Sequence, residues 1–187
     1  MADREFEYSA ESKAPPASVW ERYTDVEQWC DWSPGVEESS LEGEFEAGSK
    51  GTVKPPQLPR SRFELVEVEP ERSFVSETKL PGGTLSLEHV LEPSNGGSRI
   101  THRATFTGPL GSVWMRVVGW IVKRDLPSSV ERLAEVAVEK EEDARKLAEE
   151  RKERKERLKG ADERLKAEIE KTSSGEGDRG GASLPGA

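Results

Sequence analysis

The sequence is short of three things. It holds one cysteine, Cys30, two histidines, His89 and His102, and no apolar run that could cross a bilayer. A lone cysteine excludes an intrachain disulfide and fits a reducing compartment. The longest apolar stretch, Val113 to Val122, is interrupted by Arg116 and falls far below the ~20 residues that a spanning helix needs. No charged-then-apolar signal segment opens the chain, which runs from Met-Ala-Asp-Arg-Glu-Phe-Glu straight into an alternating pattern. These absences predict a cytoplasmic protein without stable membrane insertion. Positive charge is also in deficit: 28 Lys and Arg stand against 37 Asp and Glu, a net charge of −9. Residues 139–171 balance 12 basic against 12 acidic side chains, so residues 1–138 carry −8. An acidic body does not hold nucleic acid or an anionic surface through bulk charge. Phosphate-cradling Gly-rich loops, zinc-ligand spacing, a Ser-His-Asp order and solenoid-length repeats are all missing. No metal and no cofactor are expected.

What is present is organised around a hairpin, Thr84 to Phe106. Both arms alternate apolar and polar residues, and Ser-Asn-Gly-Gly joins them. If Pro93 pairs with Ser98, then Leu91 meets Ile100, His89 meets His102, Leu87 meets Ala104 and Leu85 meets Phe106, all on one side. On the other side Glu92 meets Arg99 and Glu88 meets Arg103. Opposite charges across a ladder contribute roughly 0.2–1 kcal/mol each, and a one-residue slip would put every apolar side chain in water. This register brings the two histidines together on the apolar face. Imidazoles ~5 Å apart depress each other's protonation, and burial acts the same way. A neutral imidazole beside an apolar space can serve as general base or hydrogen-bond a carbonyl or phenol. It can equally be structural, with the rings bonded to one another or to the last helix. Glu88 points away from that face, so a two-histidine metal site lacks a third ligand.

Elsewhere, Glu5 to Glu11 alternates as a first strand, with Phe6, Tyr8 and Ala10 on one face. Pro15-Pro16 starts a short helix carrying Val19, Trp20 and Tyr23. Asp25 caps a second one carrying Val26 and Trp29 and ending near Trp32-Ser33-Pro34-Gly35. From Val36 to Phe106 turn signals cut the chain into about six strands, with a bulge near Val66. Strand Ser73 to Lys79 pairs across Leu-Pro-Gly-Gly, which sets Phe74 opposite His89 and lines up Ser76 and Thr78. Leu110 to Leu126 reads as one helix, apolar on nearly every side and ready to be buried, to pack in a dimer or to touch a membrane interface. Pro127 kinks or stops it, and Ser128-Ser129-Val130-Glu131 is a capping box that restarts a helix. Beyond Lys140 follows a Glu/Lys/Arg helix with pairs such as Glu141–Arg145, Glu142–Lys146, Glu150–Arg154 and Glu153–Arg157. Gly160 is a point of interruption, and the Gly/Ser-rich stretch 172–187 is expected to be disordered. Leu147, Leu158, Leu165 and Ile169 are too scattered for a strong coiled-coil seam.

This order of elements resembles the START-like, or Bet v 1-like, helix-grip fold. The stretches Ala14 to Trp20, Asp25 to Val36, Phe63 to Pro70 and the hairpin are similar to the polyketide cyclase/dehydrase and lipid-transport (SRPBCC) family. The resemblance implies an α+β domain over residues 3–140, in which a curved antiparallel sheet of about seven strands wraps a long C-terminal helix. A charged helical extension, 141–171, and the tail, 172–187, complete the expected organisation. It also implies an apolar cavity between sheet and helix. The candidate ligand contacts are Trp32 at the mouth, Phe63, Leu65, Phe74, Ser76, Leu87, His89, Leu91, His102, Ala104 and Phe106 on the sheet, and Trp114, Val117 and Ile121 on the helix. The expected function is binding or carriage of a small, largely apolar molecule (polyketide-like, aromatic or lipid) by a monomer or weak homodimer. The alternatives are a cyclase/dehydrase using His89 or His102 as base, and an interaction protein acting through the charged helix.

Overall fold

A computed structural model describes residues 5–174. The chain divides into two compact units, with the boundary between Glu142 and Asp143. In the first, strand β1 (Glu5–Ser12) leads into helix α1 (Pro16–Thr24) and a 3-10 turn (Val26–Asp31). Strands β2 (Glu38–Glu42), β3 (Lys50–Lys54), β4 (Ser61–Glu69), β5 (Ser73–Leu80), β6 (Gly83–Ser94) and β7 (Gly97–Thr107) follow, then helices α2 (Gly111–Val117) and α3 (Gly119–Ser174). The strands form one antiparallel sheet in the order β1-β7-β6-β5-β4-β3-β2, so that every neighbour except β1 is also next in sequence. That is a meander closed at one edge by the first strand.

The β6–β7 register is the expected one throughout, from Pro93↔Ser98 and His89↔His102 to Leu85↔Phe106. Phe74 lies opposite His89 on β5, and the β4–β5 ladder shifts register between Leu65 and Glu67. This bulge lets both Leu65 and Phe63 face inward while Val66 is 37% exposed. The β5–β6 loop is Pro81-Gly82, whose φ of 66° at the glycine suits a turn with proline at its first corner. On the outer face Arg103 bridges three strands, contacting Glu88 on β6 and Glu5 and Glu7 on β1. Arg99 lies opposite Glu92 as the hairpin requires, and its direct ion pair is with Glu11 at 2.8 Å, because β1 places that carboxylate directly beside it.

The core between sheet and helices contains Val19 and Tyr23 of α1, Trp29 and Trp32, and Leu65, Phe74, Leu91 and Ile100 of the sheet. Its helical side is supplied by Val130, Leu133, Ala134 and Ala137 of α3, one stripe at i, i+3, i+4 and i+7. The gripped segment therefore lies after Pro127, not before it. The expected single helix Leu110–Leu126 is instead broken at Val118. Gly119 sits so close to its neighbours that an added Cβ would meet Met115 Sδ at 2.9 Å and the Phe6 ring at 3.3 Å. Val113, Val117 and Trp120 are left more than half exposed.

Pro127 does not stop α3, which runs through it, and Ser128–Glu131 does not open a new helix. Ser129 Oγ donates back to the carbonyl of Asp125 at 2.9 Å within the same helix. Asp25 occupies the cap position of the 3-10 turn but makes no side-chain capping bond. The second unit, from Asp143, is helical through Gly160 without interruption. Its ion pairs include Asp143–Lys146 and Asp162–Lys166, whereas the four expected Glu–Arg and Glu–Lys pairs do not form. Fully exposed ends of long side chains gain little from such contacts. From residue 175 onward, the stretch expected to be a disordered tail lies outside the described residues. No helix among them is long and apolar enough to cross a membrane.

Candidate functional site

The inward face of the β6–β7 hairpin carries both imidazoles. Their ring centroids are 4.3 Å apart at 70°, and each is more than nine-tenths buried. Phe74, across the β5–β6 ladder, stacks on His89 at 4.0 Å and 5°, as the register requires. Tyr23, delivered by α1 from the opposite side, places its hydroxyl 2.9 Å from His102 Nε2. Neither histidine bonds to the other or to α3, the two structural partners expected for them. The Tyr23 hydroxyl is fully buried with His102 Nε2 as its hydrogen-bond partner, and the tautomer of a neutral His102 sets which of the two donates. Burial pushes the Tyr23 phenol far above its ordinary range, so that pair stays neutral.

The imidazoles are held neutral as well. Burial pushes His89 down to about 3, with the backbone of Phe74 and Leu87 acting weakly in the other direction. His102 lies well below its ordinary value, first through burial and then through the neighbouring His89. On α1, Arg22 Nε is fully buried without a hydrogen-bond partner among the described residues, and so, at the site, are His89 Nδ1 and Trp32 Nε1.

The last two atoms belong to residues lining a cavity of about 110 Å³. Its sheet wall is Val53, Phe63, Ser76, Thr78, Leu87, His89 and His102, with Glu88 and Arg103 also bordering it. Trp29, Trp32, Ser33 and Val36 close one side, and Leu126 and Ser129 of α3 the other. Of the residues expected from the sequence, Trp32, Phe63, Ser76, Leu87, His89 and His102 are brought together here. Trp32 is a wall residue, only 4% exposed, not a rim residue. Leu65, Phe74 and Leu91 are buried in the core behind the cavity, and Ala104 and Phe106 are buried elsewhere on the hairpin.

Trp114, Val117 and Ile121 do not reach the cavity. Trp114 donates to the carbonyl of Pro81, Val117 is 55% exposed, and Ile121 lies by Pro34, Pro55 and Arg124. The helix breaks at Val118, and the inner position is held by Leu126 and Ser129. Those two, with Ser33, Val36 and Val53, were not identified as lining residues from the sequence, whereas Thr78 was placed on the inner face and Trp29 among the tryptophans that could line a pocket mouth. The i, i+3 spacing of Leu126 and Ser129 across Pro127 was the available signal, masked by reading proline as a boundary.

A meandering antiparallel sheet closed over a helix, with a small cavity between them, defines the helix-grip, Bet v 1-like class. The chain belongs to the polyketide cyclase / dehydrase and lipid transport family, whose sequence model matches residues 3–138. Solved structures share the fold at low identity. Protein NE0264 from Nitrosomonas europaea is 15% identical, with a TM-score of 0.60 over 75% of this chain and 97% of that one. The Ara h 8.0201 structure is 17% identical, with a TM-score of 0.58 over 72% and 97%. StfQ, a di-domain ARO/CYC from the steffimycin biosynthetic pathway, is 13% identical, with a TM-score of 0.60 over 73% of this chain and 51% of that one. No curated protein matches the chain.

Proposed function

We propose that the domain binds or carries a small, largely apolar molecule in the cavity between the sheet and α3. The observation that carries this reading is the pair of unpartnered buried nitrogens, Trp32 Nε1 and His89 Nδ1, on residues that line one cavity. Leaving a buried donor or acceptor unmade costs ~1–3 kcal/mol. A guest that supplies the missing partners recovers that cost and adds apolar contact with Phe63, Leu87 and Leu126. Family membership and the likeness to Ara h 8.0201 support the same reading. The lone exposed cysteine, Cys30, suits a reducing cytoplasmic setting for it.

The cyclase alternative draws support from the family and from the fold shared with StfQ. Against it stands the electrostatics. A general base works best with a pKa near the operating pH, whereas both imidazoles sit far below 7. Tyr23 is fully buried and outside the cavity lining, and Glu88, the carboxylate that borders the cavity, is paired with Arg103. Hydrogen bonding to a ligand is the chemistry these groups are suited to.

Native mass spectrometry of the freshly purified protein tests the reading. A small organic molecule should travel with the folded protein and be lost on denaturation. Thermal denaturation in the presence of that molecule should shift upward in the unmodified protein and in a His89→Gln variant alike. Turnover of a reactive polyketone that vanishes in the variant would favour the enzyme reading instead.

A further inference from the structure

Resting on that reading, we infer that the cavity selects a neutral molecule of single-ring size bearing one oxygen function, such as a phenol or an aryl ketone, and rejects carboxylates and long chains. Size is the first argument. The space is about 110 Å³, of the same order as the ~150 Å³ of an apolar cavity that takes a single ring and well below the ~300–1,000 Å³ of pockets for drug-sized ligands. The cause lies in the aromatic packing. Trp29 stacks on Phe63 at 5.4 Å and on Phe74 at 6.3 Å, and Phe74 in turn covers His89. This continuous layer of rings fills the volume that a polyketide or acyl chain would need. Enlarging the space means breaking several stacked contacts at once.

Charge is the second argument. The one cationic side chain among the lining residues, Arg103, is engaged by Glu5, Glu7 and Glu88 on the outer face of the sheet. His89 and His102 are neutral, and no lysine lines the space. A carboxylate entering here would shed its water and meet no counter-charge, a strongly unfavourable exchange. A neutral oxygen is different. The indole N–H of Trp32 can only donate, so it calls for an acceptor. His89 Nδ1 takes or gives a hydrogen bond according to tautomer, and Ser76 makes no side-chain hydrogen bond among the described residues. A ketone satisfies the indole, and a phenol satisfies the indole and can also donate to an imidazole lone pair.

The test is a titration of the full chain, followed by tryptophan fluorescence and calorimetry at pH 7, with phenol, acetophenone, benzoate, ethylbenzene, 2-acetonaphthone and palmitate. Phenol and acetophenone should bind saturably and benzoate at least tenfold more weakly. The naphthyl ketone and palmitate should not bind. In Trp32→Phe, acetophenone should weaken about fivefold while ethylbenzene is unchanged. The wild-type selectivity decides the matter even where that variant folds poorly. Benzoate binding as tightly as acetophenone, or palmitate displacing the small ligands, overturns the inference while leaving the ligand-binding reading intact. No binding by any of the six probes overturns both.

Discussion

The histidine pair should make the domain acid-sensitive in a window where nothing else in the chain titrates strongly. Only two histidines are present, and both are buried in the neutral form. In the unfolded chain each has a pKa of ~6.5, whereas in the folded state His89 is pushed down to about 3 and His102 well below its ordinary value. A histidine whose pKa is depressed by folding contributes stability that is fully present above ~6.5 and is lost as the pH falls toward the folded value. At pH 5 the unfolded His89 imidazole has taken up its proton and the folded one has not, which favours unfolding by about 2 kcal/mol. His102, whose pKa is also lowered by folding, adds to the slope in the same direction. Urea denaturation at fixed temperature, followed by tryptophan fluorescence, should show a midpoint at least ~1 M lower at pH 5 than at pH 7 if m is near ~2 kcal/mol/M. A His89→Gln, His102→Gln double variant, compared across the same range, should lose most of that slope. A midpoint in the unmodified protein that stays flat from pH 7 to pH 5 would refute the claim that both rings are buried and neutral.

Four further outcomes follow from the packing. Gly51→Ala should cost at least ~1–3 kcal/mol in chemical denaturation, because its Cβ would lie 2.4 Å from the Phe63 ring and 2.4 Å from the carbonyl of Ser40. Tyr23→Phe should cost ~1–3 kcal/mol by leaving His102 Nε2 without its hydrogen-bond partner, and nitrogen chemical shifts of the imidazole should report the change of tautomer balance. Leu133→Ala should lose ~2–5 kcal/mol, since Leu133 is fully buried on α3. Val117→Ala, a change on the exposed side of α2, should stay within ~0.5 kcal/mol.

The sheet was legible because its information is local. Alternation fixes which face of β6 and β7 turns inward, the Asn-Gly-Gly turn fixes the pairing, and these two together place His89 against His102. The same logic reached one strand further, to Phe74, and found the bulge beside Val66. Helices resisted for a physical reason. Val113 to Val122 is apolar on every side, so periodicity cannot say which face is buried, and the segment took the place of the true gripped stripe. That stripe, Val130, Leu133, Ala134 and Ala137, was visible at the right spacing but was assigned to a restarted helix after Pro127. The actual break depends on Gly119 meeting Phe6 from β1, a contact more than a hundred residues distant in sequence. A long-range contact also supplies the direct ion pair of Arg99, with Glu11. Within the candidate site, the hairpin half was readable, and the half contributed by Ser33, Leu126 and Ser129 was not, because it exists only once the helices dock.

Buried polar groups in this domain divide into two kinds, and the division locates the site better than any single residue does. Ser12 donates to the carbonyl of Ala134, and Ser98 to that of Ala14, so these buried hydroxyls tie β1 and the loop after it to α3 and β7. Trp29 Nε1 is likewise spent, on the carbonyl of Tyr23. His102 is half spent, on Tyr23. Around the cavity the pattern changes: among the described residues Trp32 Nε1 and His89 Nδ1 have no partner, and the Ser33 hydroxyl has only a 3.2 Å contact with Ser129, which itself donates to Asp125. Arg22 Nε on α1 is the third such buried atom, so two of the three stand at one void, and a purely structural core has no reason to keep them there, since each is costly and apolar substitutes of similar shape exist. Small polar side chains on β5 and α3, Ser76 and Ser129, also keep the void open where valine or leucine would fill it. Replacing both with valine should therefore raise the stability of the ligand-free domain and abolish binding of small ring compounds. Calorimetry on the two forms would separate those effects, and a double variant that still bound such compounds would show that the void is not where they go.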